Sequence, residues 1–330
     1  MSKPRARVLA VGTALPDRRL TNADLERMVD TNDEWIRSRT GIRERRIADP
    51  GTPLSALAER AARSALGKAG VDASELDGII CATITGDHVM PTTANLVQHK
   101  LGAQGAWGYD LSNACNGFVA ALSTATAFIE SGAARTILVI GGDVMSSVID
   151  YKDRNTCILF GDGAGAVVVQ AGDPDGPGVQ GFVMHSDGGH GDLLTIPAGG
   201  SAMPTSIEAI ERRDHYLKQA GREVFQHAVR RMSEAATEMI ERLGITSDDV
   251  DLLVPHQANR RIIEPTARRL GVPIEKVVIN IDRVANTTGG TIPLALADAE
   301  NDGRLQPGSR VLLVAFGGGF SWGAIYLTWG

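Results

Sequence analysis

The chain has 330 residues, room for two domains of ordinary size, and 43% of them are apolar, which excludes a disordered protein. Acidic residues outnumber basic ones, 39 to 33, and the net charge of −6 argues against a nucleic-acid binder. No run approaches the roughly 18 apolar residues of a membrane span, and three cysteines without framework spacing point to a soluble protein of the reducing cytoplasm.

In chain order, RVLAVGTALP (7–16) is too short, and too soon broken by Gly12 and Pro16, for a signal peptide; it reads as a first β-strand. Trp35 and Arg39 then stand four apart, on one face of a helix. A helix ending in KAGV (68–71) leads through an acidic turn into the strand LDGIICATI (76–84). The alternating strand Trp107–Leu111 runs into DLSNACNGF (110–118), after which Phe118, Ala121, Leu122, Ala125 and Ile129 recur at spacings of three and four. A buried helix therefore begins at or just beyond Cys115. RTILVIGGD (135–143) and the β-branched run after GDGAGA (161–166) are strands, and GDPDGPG (172–178) is a turn-rich seam.

Beyond the seam, 185–222 reads as a polar loop followed by a helix. A helix ending in RLGI (242–245) leads through a second acidic turn to VDLLVPH (250–256). There follow a helix in which Pro265 predicts a kink, the strand-to-turn segment VVINIDRVAN (277–286), and SRVLLVAFGGG (309–319). Helical segments alternating with β-branched runs indicate α/β architecture with mainly parallel, buried strands.

The chain also repeats itself. Val71 and Ile245 are offset by 174 residues, as are Asp77 and Asp251; Arg135 and Arg310 are offset by 175, and Cys115 and Asn286 by 171. Near-constant offsets across three elements predict a duplicated βα unit about a pseudo-twofold axis, with halves 1–175 and 176–330 joined at the seam.

Cys115 is the candidate nucleophile. A thiol at a helix N-terminus faces the positive end of the dipole, which predicts a lowered pKa, and unpaired N–H groups there could hold an oxyanion. Cys81 and Cys157 lie among apolar neighbours and read as core residues. Six of the seven histidines lie in polar loops or on helices; His256 instead ends a strand, where open α/β folds place ligands. Asn286 holds a similar place, though a turn residue is the commoner role for an asparagine there, and the small residues after it would let a substrate pass close to the backbone. No HxxxH or CxxC pair offers a metal site.

DTNDEWIRSRTGIRERR (30–46), SNACNGF (112–118), FGDGAGAVV (160–168), VPHQANRRI (254–262), ANTTGGTIP (285–293) and AFGGGFSWG (315–323) together resemble β-ketoacyl-acyl-carrier-protein synthase III, over essentially the whole chain. The resemblance implies a duplicated thiolase-like fold, two pseudo-twofold halves layered α/β/α/β/α, and a decarboxylative condensation that begins fatty acid synthesis. It implies that Cys115, His256 and Asn286 are a catalytic triad, that Cys115 carries the acyl group, and that the N–H groups of Cys115 and Gly318 form an oxyanion hole. Thr31, Trp35, Arg39, Arg154 and Asn259 would receive coenzyme A and its pantetheine arm, while Met90, reaching across a homodimer, and Phe316 would shape the acyl pocket. The substrates implied are an acyl-CoA, acetyl-CoA first, and a malonyl-loaded acyl carrier protein; no permanently bound cofactor, metal, nucleic acid or membrane is implied.

Carrier proteins are acidic, so an acidic enzyme needs a local basic patch. Arg261 and Arg268 share a helix face that Arg260 and Arg269 widen, and Arg222 and Arg230 flank Gln226, where the family commonly has a basic residue. Ser112, Asn113 and Asn116 depart from the family's small residues, which leaves the primer open. Three rivals stand beside this reading. GDGAGA lacks the strand-to-helix setting of a nucleotide loop; a cysteine hydrolase would share the acyl-enzyme but release free acid; a ketosynthase of specialised metabolism would share fold and triad. The resemblance argues against a degradative thiolase, since those relatives carry a second catalytic cysteine near this turn and GGGFSWG has none.

Overall fold

The computed structural model describes residues 3–330. Five strands form the first sheet: β1 (Arg5–Ala14), β2 (Gly78–Ala82), β3 (Trp107–Leu111), β4 (Thr136–Asp143) and β5 (Gly163–Gly172), in spatial order β1-β5-β4-β2-β3. Four form the second: β6 (Gly178–Ser186), β7 (Leu252–Pro255), β8 (Arg310–Gly317) and β9 (Ser321–Thr328), in order β7-β8-β9-β6. Val277 bridges in parallel to Leu253 on the free side of β7 and stands where a fifth strand would.

Laid side by side, the sheets have one topology. β4 is parallel to β2 and antiparallel to β5, which is antiparallel to β1; β8 is parallel to β7 and antiparallel to β9, which is antiparallel to β6. The repeat reaches individual hydrogen bonds. Asp77, before β2, accepts the N–H of Arg135 at 2.6 Å, and Asp251, before β7, accepts the N–H of Arg310 at 2.9 Å. Equal offsets in the sequence thus mark equal jobs, each acidic side chain tying the start of one strand to its parallel neighbour.

Seven helices cover these sheets: α1 (Asp33–Thr40), α2 (Leu54–Ala69), α3 (Thr93–Leu101), α4 (Gly117–Glu130), α5 (Gly221–Leu243), α6 (Arg260–Leu270) and α7 (Thr291–Asn301). α4 touches strands of both sheets, as does α7, so these two form the middle layer. Almost every side chain on α4 and α7 is apolar or small, as burial between two sheets requires. α2 and α3 cover the outer face of the first sheet, α5 and α6 that of the second. The layering is α/β/α/β/α. α5 turns Val224, Ala228, Met232, Ala235 and Met239 inward at spacings of three and four while its other face stays charged. Among the described residues, no helix is long and apolar enough to cross a membrane.

Two expectations change, one of them only in part. The strands are not mainly parallel: four of the seven pairings in the two sheets are antiparallel and three are parallel. As expected, the helix begins just beyond Cys115, at Gly117, with Cys115 in a single 3-10 turn, Ala114–Asn116, ahead of it. α6 contains Pro265 within its span, Arg260–Leu270. Of the small residues after Asn286, Thr288 lines the same cavity as Cys115, but Gly289 and Gly290 face protein backbone: a Cβ on Gly289 would lie 3.1 Å from the Ala82 carbonyl and one on Gly290 3.0 Å from the Gly163 carbonyl. They let α7 begin hard against the first sheet.

Candidate active site

Cys115 lies just past β3, His256 directly after β7 and Asn286 after a short helix, Ile281–Val284, and the three line one cavity of about 350 Å³. Their neighbours there include Leu159, Phe160, Leu217, Val224, Phe225, Met232 and Phe316, so the walls are largely apolar. All three polar residues are buried. The pseudo-twofold axis explains why they meet: Cys115 follows β3, Asn286 follows the segment equivalent to β3, and His256 follows β7, the equivalent of β2.

Each is held by strained or fully hydrogen-bonded backbone. Ala114, just before Cys115, has φ +46°, Ala285, just before Asn286, has φ +59°, and Thr288 has φ +50°. Such values cost free energy in residues with a Cβ and persist where surrounding structure enforces them. Asn286 is clamped by its N–H to the Leu159 carbonyl (3.0 Å) and by its carbonyl to the Gly161 N–H (3.0 Å). Its Oδ1 accepts the Thr288 N–H at 2.8 Å, which leaves the amide NH₂ as the donor available to the cavity. His256 is anchored at Nδ1, 2.6 Å from Thr291 Oγ1.

Burial dominates the charges. It pushes the Cys115 thiol up to about 12, helped by the nearby Asp143 carboxylate, while the Asn286 amide pulls the other way. The lowered thiol pKa expected from the helix N-terminus is therefore corrected: the dipole is outweighed by the loss of water. Burial likewise pushes His256 down to about 3, so its imidazole is neutral at ordinary pH. Asp143, at the end of β4, is fully buried, and burial raises its carboxyl above the usual range. It is held by donors from Thr83, Ile84, Thr85 and Thr288.

Gly317, the last residue of β8, and Gly318, in the turn to β9, also line the cavity. Among the described residues, the Gly318 N–H donates to no backbone carbonyl. Phe316 lines the cavity and packs on Phe320, with ring centroids 4.8 Å apart. Asn259 is there too; its Oδ1 caps α6 by accepting the Arg261 N–H at 2.9 Å.

Trp35 lies outside the cavity lining but packs on the cluster containing Leu217, Phe160 and Leu194 that forms its wall. The guanidinium carbons of Arg154 and Arg39 lie 5.3 and 5.7 Å from the Trp35 ring, and Arg154 donates to the Asp30 carbonyl at 2.9 Å. Thr31 is half-buried beside them, its hydroxyl without a partner. Met90 is 82% exposed and contributes nothing to the cavity of its own chain.

Of the basic residues, Arg261 lies 5.8 Å from the ring of Phe225, a cavity residue, and Arg222, Arg268 and Arg269 are exposed. Arg260 pairs with Glu264 and Arg230 with Glu234, both at 2.7 Å, so these two are partly neutralised. Sequence reasoning missed Asp143, Thr288 and Thr291. Asp143 carried a signal, since it ends the strand whose repeat mate leads into the Gly318 turn. It also missed that His190 stacks on Phe320 and that His227 packs against the same ring at a tilt.

A family model described as 3-oxoacyl-[acyl-carrier-protein] synthase III matches residues 109–188, and the C-terminal model of the same family matches residues 240–329. The chain is 50% identical over 328 residues to the β-ketoacyl-[acyl-carrier-protein] synthase III of Solibacter usitatus, covering 99% of both chains. Among solved structures, the 3-oxoacyl-[acyl-carrier-protein] synthase III of Aquifex aeolicus matches with a TM-score of 0.90 at 42% identity, over 98% of this chain and 100% of that one. A priming β-ketosynthase from a polyketide biosynthetic pathway matches with a TM-score of 0.91 at 37% identity, over 99% and 97%.

Proposed function

Because the chain belongs to the β-ketoacyl-acyl-carrier-protein synthase III family and is a condensing acyltransferase of fatty acid synthesis on the thiolase-like fold, we propose that Cys115, His256 and Asn286 carry its reaction. The observation behind this is their convergence, from three segments and both halves, on one water-poor cavity.

In the first half-reaction Cys115 Sγ attacks the carbonyl of an acyl-CoA and expels the CoA sulfur. Burial keeps the resting thiol protonated, so its proton leaves during attack and is balanced by the one the CoA sulfur takes up. The tetrahedral oxygen sits between the N–H groups of Cys115 and Gly318. In the second half-reaction malonyl-carrier protein enters the same cavity. Its carboxylate leaves as CO₂, and the electron pair moves onto the thioester as an enolate. Neutral His256 and the Asn286 amide are suited to donate to that enolate oxygen, where charge develops only in the transition state. The enolate carbon then attacks the Cys115 thioester, and the Cys115 thiolate departs and is reprotonated. Both substrates use one site in turn, so the kinetics are ping-pong.

Coenzyme A would enter past Trp35, with adenine on the indole and phosphates on Arg39 and Arg154. The carrier protein would dock on Arg222, Arg261 and Arg268, beside Phe225. Exposed Met90 suits a role in the acyl pocket of a second copy, which makes the working unit a homodimer. A second reading, priming in specialised metabolism, is favoured by the likeness to the priming β-ketosynthase.

Product analysis tests the proposal: enzyme, acyl-CoA and malonyl-carrier protein should give CO₂ and a β-ketoacyl-carrier protein, and Cys115→Ala should give no condensation product. Free acid in place of the β-ketoacyl product would make the protein a hydrolase, and the preferred member of an acyl-CoA panel separates acetyl priming from specialised priming.

A further inference from the structure

The Thr291 hydroxyl has one proton and two acceptors within reach, His256 Nδ1 at 2.6 Å and the Thr288 carbonyl at 3.1 Å. Which one receives it decides what His256 can do. If the proton goes to the carbonyl, Nδ1–H must donate to the hydroxyl, and Nε2 faces the cavity as a lone pair. If it goes to Nδ1, the neutral ring keeps its hydrogen on Nε2 and faces the cavity as a donor.

Two observations favour the second arrangement. The contact to nitrogen is short, while 3.1 Å is beyond the usual O–H···O range. The Thr288 carbonyl also already accepts the backbone N–H of Thr291, which closes the 3-10 turn Thr288–Gly290, so it does not need the hydroxyl proton. Thr291 itself is fully buried, as the first residue of α7, and no water competes for its hydroxyl.

We infer that Thr291 is a positioning residue: its hydroxyl donates to Nδ1 of His256 and holds the imidazole as the Nε2–H tautomer that a developing enolate oxygen requires. The assignment deepens the functional reading above and rests on it only for its kinetic consequence. The anchoring is indirect but firm, because Thr288, one turn earlier, is tied to buried Asp143 through its own hydroxyl. The first residue of the central helix thus fixes the ring at the end of β7.

The test combines ¹⁵N NMR of histidine-labelled full-length enzyme with two half-reaction assays on wild type, Thr291→Val and Thr291→Ser. His256→Gln identifies the resonance. Wild type should show a protonated Nε2 and a hydrogen-bonded, unprotonated Nδ1, and Thr291→Val should lose the hydrogen-bond shift at Nδ1. CO₂ release from malonyl-carrier protein should fall about 10- to 100-fold in Thr291→Val, the usual effect of removing a group that orients a histidine. Acylation of Cys115 by acyl-CoA should change little, and Thr291→Ser should recover CO₂ release. A protonated Nδ1 in wild type overturns the inference. So does a Thr291→Val enzyme that decarboxylates within twofold of wild type, or one that loses both half-reactions without rescue by serine, which would mark a structural role. Full decarboxylation by His256→Gln would instead refute the role given to His256 and leave the tautomer assignment standing.

Discussion

Gly317 faces the backbone of Cys115 so closely that a Cβ at that glycine would lie 2.7 Å from the Cys115 nitrogen and 2.9 Å from that of Asn116. The end of β8 in the second half is thereby pressed onto the nucleophile's turn in the first. Gly317→Ala must push the two apart, because both contacts are backbone and neither can rotate away. It should cost about 1–3 kcal/mol of stability through overpacking and lower the condensation rate by about 100-fold, the scale of a 1 Å displacement of reacting groups. Urea unfolding and steady-state assays measure the two. A near-wild-type rate would detach this strand end from the oxyanion site.

His256 predicts an acid limb in stability. Its folded pKa, near 3, lies below the ordinary value of 6.5, so the unfolded chain binds the proton first and stability falls as pH drops from 6.5 toward 3. Between pH 6.5 and pH 5 this one group should remove about 2 kcal/mol, at about 1.4 kcal/mol per pH unit. His256→Gln should lack that loss while sharing the rest of the profile. Parallel urea-derived stability curves for the two proteins would contradict the buried neutral imidazole.

Alkylation of Cys115 by iodoacetamide in the substrate-free enzyme should be slow at pH 7. Its rate should climb about tenfold per pH unit through pH 10 without levelling, because only thiolate reacts and burial holds the thiol near 12. A plateau beginning near pH 7 or 8 would mean that the helix N-terminus prevails over burial after all.

Trp35 has two guanidinium groups over its ring, those of Arg39 and Arg154, on the wall outside the cavity. Trp35→Ala should raise KM for acyl-CoA by about 10- to 100-fold, the scale of one base–aromatic stack, and leave kcat nearly unchanged, as loss of uniform binding does. An unchanged KM with reduced stability would reduce Trp35 to a packing residue.

Much of this was legible in the sequence because the fold is a repeat. Asp77 and Asp251, Arg135 and Arg310 do the same work in two places, so one periodicity exposed both sheets and the equivalent positions of Cys115 and Asn286. What stayed hidden depends on contacts across the halves. The helix after Cys115 signalled an activated thiol, but the residues that exclude water from it, Phe316 and Met232 among them, arrive from more than 100 positions away. Nothing at Ala114 or Ala285 announces a positive φ, since neither is glycine. Gly289 and Gly290 did signal close approach; the neighbour approached is the first sheet and not a substrate.

The most direct test is the intact mass of the protein after exposure to acyl-CoA, for wild type and Cys115→Ala, followed by addition of malonyl-carrier protein. The account predicts one acyl group on wild type, mapped to Cys115, none on the variant, and its transfer onto the carrier as a β-ketoacyl group. An unlabelled but folded wild type, a label on Cys115→Ala, or a label lost only to water would contradict it.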